Sequence, residues 1–378
     1  MTRSPDALVV GAGVVGAACA YALARRGLSV LVLESRFVAA GATAAGMGHI
    51  VVMDDSEPQI ALTALGRSLW AEMASDLPPD CEDDPCGTLW IAADGEEMRA
   101  VRRKAAVYRS HGLEAEILSE PELITLEPQL KPGLAGALLV PGDRVLYPPN
   151  AARRLLQRAC AHGAEIREGV EVRSLDARGA VLADGRIDAG CVVNAAGPEA
   201  ARLTPGLPVE PRKGHLVITD RYPGFCRHQL VELGYLKSAH SLATPGPSVA
   251  FNVQPRATGQ MLVGSSREFA GFDGRVQPDV VARMVRRAVE FLPGLARLSA
   301  LRTWTGFRPS TPDRLPLIGR WLIDEEPGPW IAAGHEGLGI TTAPATAELL
   351  AALVTGQKPP CDPSPFAPAR AMPAMVHA

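Results

Sequence analysis

The pattern of apolar and polar positions predicts alternating strands and helices from the start of this chain. An apolar run at 7–10 has the length of a buried strand, and a second one follows at 30–33. Between them, the Ala-rich segment that ends at Gly27 predicts a helix. A strand, a helix and a second strand at this spacing are typical of a nucleotide-binding βαβ unit.

The turn after the first strand carries the spacing G-x-G-x-x-G. Gly11 permits a tight turn, Gly13 lets the backbone approach a pyrophosphate, and Gly16 allows the helix to pack closely on the sheet. Glu34, at the end of the second strand, is placed to accept hydrogen bonds from ribose hydroxyls. The unit therefore predicts a dinucleotide site, and both NAD and FAD fit it. The alternative is a glycine-rich turn that serves packing alone.

Five later segments have the spacing or capping residues of helices. They are 59–77, 96–110, 151–162, 279–292 and 345–354. Asn150 and Asp279 are predicted to cap the third and fourth, because their side chains can accept hydrogen bonds from unpaired N–H groups. The second helix is basic, and its cationic side chains, Lys104 among them, are predicted to form a solvated face.

From residue 212 the pattern changes to strands joined by turns. The predicted strands are 212–219, 231–239, 249–254 and 260–265. Successive strands with hairpin turns imply an antiparallel sheet and hence a second domain. An earlier apolar run at 191–193 ends in small residues and is predicted to return the chain to the dinucleotide domain.

Composition excludes several classes of function. The chain has 378 residues, 47% hydrophobic and 21% charged, which is typical of an ordinary globular protein of about two domains. A net charge of -3 gives no electrostatic reason to expect nucleic acid. No apolar run has membrane-spanning length and no signal peptide precedes the first strand, so we expect a cytoplasmic protein, with peripheral membrane contact left open. Seven scattered cysteines suit a reducing compartment, and their spacing predicts no metal site.

Five landmarks, in order, resemble the FAD-dependent D-amino-acid oxidase and glycine oxidase family. They are the glycine motif with Glu34, the segment ending AAGMG, VEV before VVNAAGP, TGFRPSTPDRLPLIG, and AGHEGLGITTAPATAELL. The resemblance covers nearly the whole chain and implies one bound FAD. It implies an α/β fold in which a Rossmann-like FAD-binding domain of the glutathione-reductase type is interleaved with an antiparallel-sheet α+β substrate domain. The expected bounds are 1–85, 143–208 and 300–365 for the first, 86–142 and 209–299 for the second, and 366–378 for a loose tail.

The resemblance also carries cofactor-binding roles over to matching positions. Those for the nucleotide half are Gly11, Gly13, Val14, Val15, Gly16, Glu34, Ser35, Val172, Ala196 and Gly197. Those for the pyrophosphate and flavin are Thr43, Ala44, Ala45, Gly46, Met47 and Gly48. Those for the flavin pyrimidine end are Arg308, Gly334, His335, Glu336, Gly337, Leu338, Gly339 and Ile340. Backbone N–H groups of the last segment would stabilise negative charge on the reduced flavin.

Three residues are the candidates for catalysis. Arg308 matches the family arginine that holds the substrate carboxylate, and a planar guanidinium can grip a carboxylate with two parallel hydrogen bonds. His49 follows the flavin-contacting segment, and Tyr235 lies in the sheet expected to cover the flavin. The alternative is a surface position for Arg308 and a hydrogen-bonded structural role for His49.

Other polar residues are weaker candidates. Lys237, Arg256 and His215 lie in the same predicted sheet, and Glu336 either bonds the nearby backbone or takes part in the reaction. Glycine oxidase carries a second arginine in its C-terminal loop, where this chain has Gly337. The resemblance therefore implies a single clamp or a different second contact.

The segments GHEGLGITTAPAT and PRKGHLVIT are more similar to the FAD subunit of dye-linked dehydrogenases, which include D-hydroxyproline dehydrogenase, opine oxidase and hydrogen cyanide synthase. The predicted function is oxidation of the C–N bond of an amino or imino acid by hydride transfer from the α-carbon to flavin N5. D-Hydroxyproline or D-proline is favoured as substrate, with opines, glycine and D-amino acids as rivals. A second hypothesis is a flavin subunit that has little activity without partner subunits carrying FMN or an iron–sulfur cluster. A third, an NAD-dependent dehydrogenase, is disfavoured by the later landmarks.

Overall fold

The computed structural model describes residues 4–234, 246–323 and 326–371. The helices are α1 (Val14–Arg25), α2 (Ala42–Ala45), α3 (Glu57–Met73), α4 (Gly95–Ser110), α5 (Glu120–Leu126), α6 (Pro148–Ala161), α7 (Ala200–Leu203), α8 (Pro278–Phe291) and α9 (Gly339–Thr355). The strands are β1 (Ala7–Val10), β2 (Val30–Leu33), β3 (His49–Ile50), β4 (Thr88–Ala92), β5 (Glu116–Leu118), β6 (Gly136–Val140), β7 (Arg144–Val145), β8 (Glu165–Arg167), β9 (Ser174–Leu175), β10 (Gly179–Val181), β11 (Arg186–Asp188), β12 (Cys191–Asn194), β13 (Glu210–Thr219), β14 (Gln229–Glu232), β15 (Ser248–Pro255), β16 (Met261–Arg267), β17 (Ala300–Ser310), β18 (Leu317–Ile323) and β19 (Glu326–Ala333).

A six-stranded sheet in the order β18-β19-β12-β1-β2-β8 forms the dinucleotide domain. The strands β19, β12, β1, β2 and β8 run parallel, and β18 is antiparallel at the edge. The predicted βαβ unit is confirmed, because β1 and β2 are parallel neighbours joined by α1. Every residue of both strands is buried, as expected for a parallel sheet covered on both faces.

An eight-stranded sheet in the order β17-β13-β16-β15-β14-β4-β6-β5 forms the substrate domain. Its strand pairs are antiparallel except for β14 with β4. The edge strand β17 pairs with β13 from Ser310 to Ala300. We expected residues 300–310 in the FAD-binding domain. In the structure they form β17, which belongs to the eight-stranded sheet.

Two predicted helix caps are wrong for the same reason. The third predicted helix, α6, begins at Pro148, so that Asn150 lies inside it and donates from Nδ2 to the Asp80 carbonyl oxygen at 2.8 Å. The fourth, α8, begins at Pro278 with Gln277 as its cap, so that Asp279 lies in the first turn. Proline is favoured at a first helical position because its φ is already helical and it lacks an N–H group that would need a partner there.

The last helix begins earlier than predicted. It starts at Gly339, six residues before the predicted start, and contains Pro344. Proline within a helix leaves the carbonyl four residues earlier without its usual N–H partner. Here that carbonyl belongs to Ile340, and it accepts a hydrogen bond from Trp70 Nε1 at 2.8 Å.

Lys104 is buried, which contradicts its assignment to a solvated face. Its ammonium group pairs with Asp54 and lies 4.3 Å from the ring centroid of Trp90 and 4.9 Å from that of Tyr108. A carboxylate and two aromatic faces together compensate for the lost hydration of the ammonium group.

The C-terminal segment is ordered further than predicted. Phe366 is buried, and Arg370 Nε donates to an Asp313 carboxylate oxygen at 2.7 Å. The segment from 366 to 371 therefore packs against the FAD-binding domain, and the rest of the predicted loose tail lies outside the described residues. Over the described ranges, we find no helix long and apolar enough to cross a membrane.

Candidate active site

A cavity of about 1060 Å³ lies between the two sheets. The predicted cofactor-binding residues that line it are Gly11, Gly13, Val14, Val15, Glu34, Ser35, Thr43, Ala44, Ala45, Gly46, Met47, Val172, Ala196, Gly197, Arg308, His335, Glu336, Gly337, Leu338, Gly339 and Ile340. His49 lines it as well. The structure therefore brings together segments that are some 300 positions apart in the sequence.

Three predicted residues lie behind the cavity wall and allow its segments to approach each other. A Cβ atom on Gly16 would lie 1.9 Å from the Gly11 carbonyl oxygen. A Cβ atom on Gly48 would lie 1.9 Å from the Leu146 oxygen, and one on Gly334 would lie 2.5 Å from Thr311 Cγ2. Gly16 thus allows the close packing that the motif predicts, and Gly48 and Gly334 allow close packing too.

The nucleotide end is built from the first turn and the acid after β2. Gly11 has a φ of +104°, and the Val14 N–H at the start of α1 donates to Thr43 Oγ1 at 3.0 Å. One carboxylate oxygen of Glu34 accepts from the Ala12 N–H at 2.9 Å, so the acid is fixed beside the turn. A helix N-terminus and an adjacent acid match the needs of a pyrophosphate and a ribose.

The size and donor set of the cavity fit FAD. Its volume exceeds the usual range of roughly 300 to 1,000 Å³ for small-ligand pockets. The nucleotide-binding turn lines it at Gly11 and Gly13, and the N-terminus of α9 lines it at Gly339 and Ile340. The first N–H groups of a helix have no partner within it, so this terminus can face an electron-rich ring.

Hydrogen bonds fix the loop before α9. The Glu336 N–H donates to the Pro309 carbonyl oxygen at 2.7 Å, and the Leu338 N–H to the His335 oxygen at 3.0 Å. Thr341 Oγ1 accepts from the Val51 N–H at 3.1 Å and donates to the His49 oxygen at 3.2 Å. These bonds hold His49 beside the loop, and they give the Glu336 and Leu338 N–H groups partners within the protein.

His335 supports this loop through its ring. The side chain is buried, and Nε2 lies 3.0 Å from Thr346 Oγ1 within α9. Burial lowers the pKa of His335 to about 3, so the ring is neutral at physiological pH. Its backbone lines the cavity while its side chain anchors the loop to the helix.

One face of the substrate sheet covers the opposite side of the cavity. Because strand residues alternate between faces, three pairs two residues apart line it together. They are Arg212 with Gly214, Ser265 with Arg267, and Gly306 with Arg308. Arg212 and Arg267 are not among the site residues predicted from the sequence. The alternation in PRKGH and GSSR is a signal for a shared face, but only strand pairing shows which face meets the cavity.

Arg308 occupies a space left by two glycines. Its Nη1 donates to the Ser266 carbonyl oxygen at 3.1 Å. A Cβ atom on Gly214 would lie 2.4 Å from that nitrogen, and one on Gly337 would lie 3.7 Å from Nε. A side chain at Gly214 would therefore displace the guanidinium group.

Glu336 is an ionised acid among these arginines. One carboxylate oxygen lies 3.3 Å from Arg212 Nη1, and the other accepts from the Gly337 N–H at 2.6 Å. Burial alone would raise the pKa of Glu336, but Arg267, Arg308 and Arg212 lower it overall. Glu336 is therefore suited to hold Arg212 and the loop, and not to donate a proton at neutral pH.

His49 is neutral in this environment. It lines the cavity at the start of the β3–β7 pair, opposite Val145. Burial lowers its pKa to about 4, and the positive charges of Arg308 and Arg267 contribute to the shift. A neutral imidazole can orient a substrate by hydrogen bonding without adding a charge.

Two weaker candidates do not reach the site. His215 is buried on the other face of β13, where Nδ1 lies 2.9 Å from Ser266 Oγ and Nε2 lies 3.1 Å from the Gln277 nitrogen. Arg256 pairs with Glu82 at 2.7 Å and stacks on the ring of Tyr147. Tyr235 and Lys237 lie outside the described residues.

The fold and cavity define an FAD-dependent oxidoreductase. Residues 6–353 match the family described as "DAO: FAD dependent oxidoreductase", and the chain belongs to this family. FAD is thus its cofactor, and the predicted class of enzyme is confirmed.

Relatives and solved structures agree with this assignment. The chain is 31% identical to glycine oxidase of Geobacillus kaustophilus (strain HTA426) over 97% of each chain. The crystal structure of glycine oxidase from Geobacillus kaustophilus matches it with a TM-score of 0.86 at 29% identity, over 98% of this chain and 100% of that one. It is 29% identical to hydrogen cyanide synthase subunit HcnC of Pseudomonas aeruginosa (strain PAO1), over 99% of this chain and 98% of that one. Iminodiacetate oxidase (IdaA) from Chelativorans sp. BNC1 matches with a TM-score of 0.81 at 26% identity, over 96% and 98%. The chain is therefore similar to enzymes that oxidise amino acids.

Proposed function

We propose that this chain oxidises the C–N bond of a small amino or imino acid whose carboxylate is held by Arg308. The position of Arg308 carries the proposal, because it lines the cavity between Gly214 and Gly337, the latter in the loop before α9. A bidentate guanidinium contact there fixes the α-carbon in one orientation.

Each part of the chain has a distinct task in this reaction. Glu34 and the start of α1 hold the nucleotide, and the start of α9 meets the flavin end. Bound FAD supplies the acceptor, at N5, for the hydride that leaves the α-carbon. Neutral His49 orients the amine, and the positive charges around it favour the uncharged amine that the reaction requires. The imine product hydrolyses, or persists as a ring when the substrate is cyclic.

The substrate and the acceptor are the finer part of the proposal. The resemblance to dye-linked dehydrogenases favours D-hydroxyproline or D-proline, and similarity to glycine oxidase and iminodiacetate oxidase supports glycine-like and N-substituted amines as rivals. We propose that electrons pass to a dye-like or protein acceptor in the cytoplasm in preference to oxygen. Faster turnover with oxygen than with an artificial dye would mark an oxidase instead.

Anaerobic flavin reduction tests the reaction. Purified holoenzyme is mixed with trans-4-hydroxy-D-proline, D-proline, glycine, sarcosine, iminodiacetate and D-alanine, and flavin absorbance is followed. We expect bleaching by at least one of these amines. If dithionite reduces the flavin but none of the amines does, C–N oxidation of small amino acids is ruled out.

A second candidate function is that of a subunit in an electron-transfer assembly. The similarity to a protein named as a subunit of hydrogen cyanide synthase favours it. In that case partner chains carrying FMN or an iron–sulfur cluster copurify with this chain at native expression. Dye reduction by the isolated chain would then rise when they are added, whereas an unchanged rate would favour an independent enzyme.

A further inference from the structure

Part of the cavity wall is apolar and has been given no role above. We define the apolar branch of the cavity by five residues that line it, namely Val51, Met53, Trp90, Val231 and Leu338. The first four belong to one buried hydrophobic cluster, and Leu338 packs against that cluster. The branch is therefore a continuous apolar surface and not a set of scattered side chains.

Two strands of the substrate sheet form one wall of the branch. Trp90 of β4 lies opposite Val231 of β14 in their parallel pair. Leu89 and Ile91, the neighbours of Trp90 along β4, belong to a different cluster. Because successive strand residues point to opposite faces, Trp90 and Val231 share the face that meets the cavity.

The branch adjoins the groups that are proposed to hold the substrate. Val51 lies two residues after His49, and its N–H donates to Thr341 Oγ1 in α9 at 3.1 Å. Leu338 directly follows Gly337, where an added Cβ atom would lie 3.7 Å from Arg308 Nε. A substrate that contacts Arg308 and His49 is thus next to the branch.

The guanidinium group of Arg308 lies closer to the branch than its strand does. The side chain starts on β17, passes Gly214 of β13, and donates from Nη1 to the Ser266 carbonyl oxygen of β16 at 3.1 Å. Val231 is on β14, and β15 alone separates β14 from β16. Two strand spacings of about 4.8 Å amount to about 10 Å. Glycine bound to Arg308 is too short to fill this distance, whereas an amino acid with a benzyl group is long enough.

Several polar residues near the branch are bonded within the protein. Gln229 Nε2 donates to Thr88 Oγ1 at 3.2 Å and to the Arg144 carbonyl oxygen at 3.1 Å. Gln59 Oε1 accepts from the Asp55 N–H at 3.1 Å. Asp55 also lines the cavity, and its exposed side chain is an acid that would repel a carboxylate. These neighbours favour an uncharged occupant.

Trp90 is fixed within the protein. Its side chain is buried, and the ammonium group of Lys104 lies 4.3 Å from the centroid of its ring and pairs with Asp54. A wall that is already ordered loses little entropy when a ligand binds. The branch is therefore suited to select a ligand by shape.

We propose that the apolar branch binds an uncharged apolar substituent of the substrate, attached to the α-carbon or to the nitrogen. The preferred substrates are then amino acids with a substituent of about the size of a benzyl group. They rank above glycine, sarcosine and D-proline, which are too small to reach Val231. The proposal rests on the proposed function for the reaction and for the role of Arg308.

Four carboxylates without an amine test the proposal. Propionate and 3-phenylpropionate differ by a phenyl group on the carbon chain. Methoxyacetate and benzyloxyacetate differ by a phenyl group beyond the ether oxygen that replaces the nitrogen. Each is titrated into holoenzyme, and the Kd is read from the change in flavin absorbance. We expect the phenyl ligand of at least one pair to bind at least about tenfold more tightly, and that pair shows where the substituent is attached.

Two variants that fill the branch assign the preference to it. Val231→Phe adds a ring from β14, and Val51→Phe adds one from the segment after β3. Each should lower the preference below about threefold, with little change for the ligand that lacks a phenyl group, because the added ring takes the same space. The matched control is Val181→Phe, at an exposed position of β10 away from the residues that line the cavity, and it should keep the full preference. FAD content, read from absorbance, shows that each variant holds its cofactor.

The results separate the proposal from the function on which it rests. Equal affinity within both ligand pairs for the native enzyme overturns the proposal, even if neither variant folds. A preference that persists in every folded branch variant also overturns it, because the ring then binds elsewhere. If the variants abolish the preference but no amine bleaches the flavin, the branch stands and the proposed reaction is wrong. In turnover, N-benzylglycine should exceed sarcosine, or phenylalanine should exceed alanine, in kcat/KM by the factor found for the matching ligand pair.

Discussion

Removing the guanidinium group of Arg308 should raise KM far more than it lowers the FAD content. The variant Arg308→Met keeps an unbranched apolar stem beside Gly214 and Gly337 and removes the charged fork. Truncating one partner of a buried charged hydrogen bond costs about 2 to 5 kcal/mol. The lower half of that range applies here for two structural reasons. Arg308 is only partly buried, and Arg267 remains close enough to attract the same carboxylate.

A loss of about 2 to 3 kcal/mol corresponds to an increase in KM of about 30- to 150-fold. Steady-state dye reduction with the best substrate of the panel measures it, and the ratio of flavin to protein absorbance measures the FAD content. Arg286→Met is the control, because Arg286 is an exposed arginine of α8 that does not line the cavity. A KM within threefold of the native value in Arg308→Met, with the control equally unaffected, would show that Arg308 is not the carboxylate contact.

Three further outcomes are expected. Gly16→Ala should abolish FAD retention, because its Cβ atom would lie 1.9 Å from the Gly11 oxygen. The control Gly95→Ala should retain FAD, because no atom lies within 4 Å of its Cβ atom. Equal flavin content in the two variants would contradict this prediction. Glu336→Gln should lower the Tm of the holoenzyme by about 5 °C, because Arg212 loses its buried partner; an unchanged Tm would show that the pair is not stabilising. His49→Asn should leave the shape of the pH profile of flavin reduction unchanged between pH 6 and 9, because a histidine with a pKa of about 4 is already neutral there; loss of an ionisation in that window would contradict a depressed pKa.

The part of the fold that was predicted correctly at the nucleotide end depends on short-range sequence. The turn at Gly11 to Gly16 and the acid Glu34 follow from the close packing of one strand, one helix and the next strand. These contacts lie within some 30 residues, so the local sequence is enough to predict them. The positions after β12 and before α9 were recognised through resemblance, and the cavity brings them beside that turn.

The wrong predictions depend on partners that are distant in the sequence. The start of α9 was placed too late because Pro344 is normally unfavourable inside a helix, and the Trp70 side chain that satisfies the free carbonyl lies 270 positions earlier. Lys104 was placed in solvent because Asp54 and Trp90 come from other elements. Neither the hydrogen bond from Trp70 nor the partners of Lys104 can be predicted from the residues close to them in the sequence.

The charge of the site also bears on how the amine is prepared for oxidation. An α-hydrogen can leave as hydride only when the amine nitrogen has a free electron pair, yet a free amino acid is largely an ammonium ion at neutral pH. Among the described residues, Glu336 is a poor base, because Arg267, Arg308 and Arg212 lower its pKa and its carboxylate is engaged with Arg212 and the Gly337 N–H. Arg267 and Arg308 provide another route, since nearby positive charge lowers the pKa of an ammonium group. Their charges therefore favour release of the amine proton, and neutral His49 can orient the resulting amine without opposing that effect.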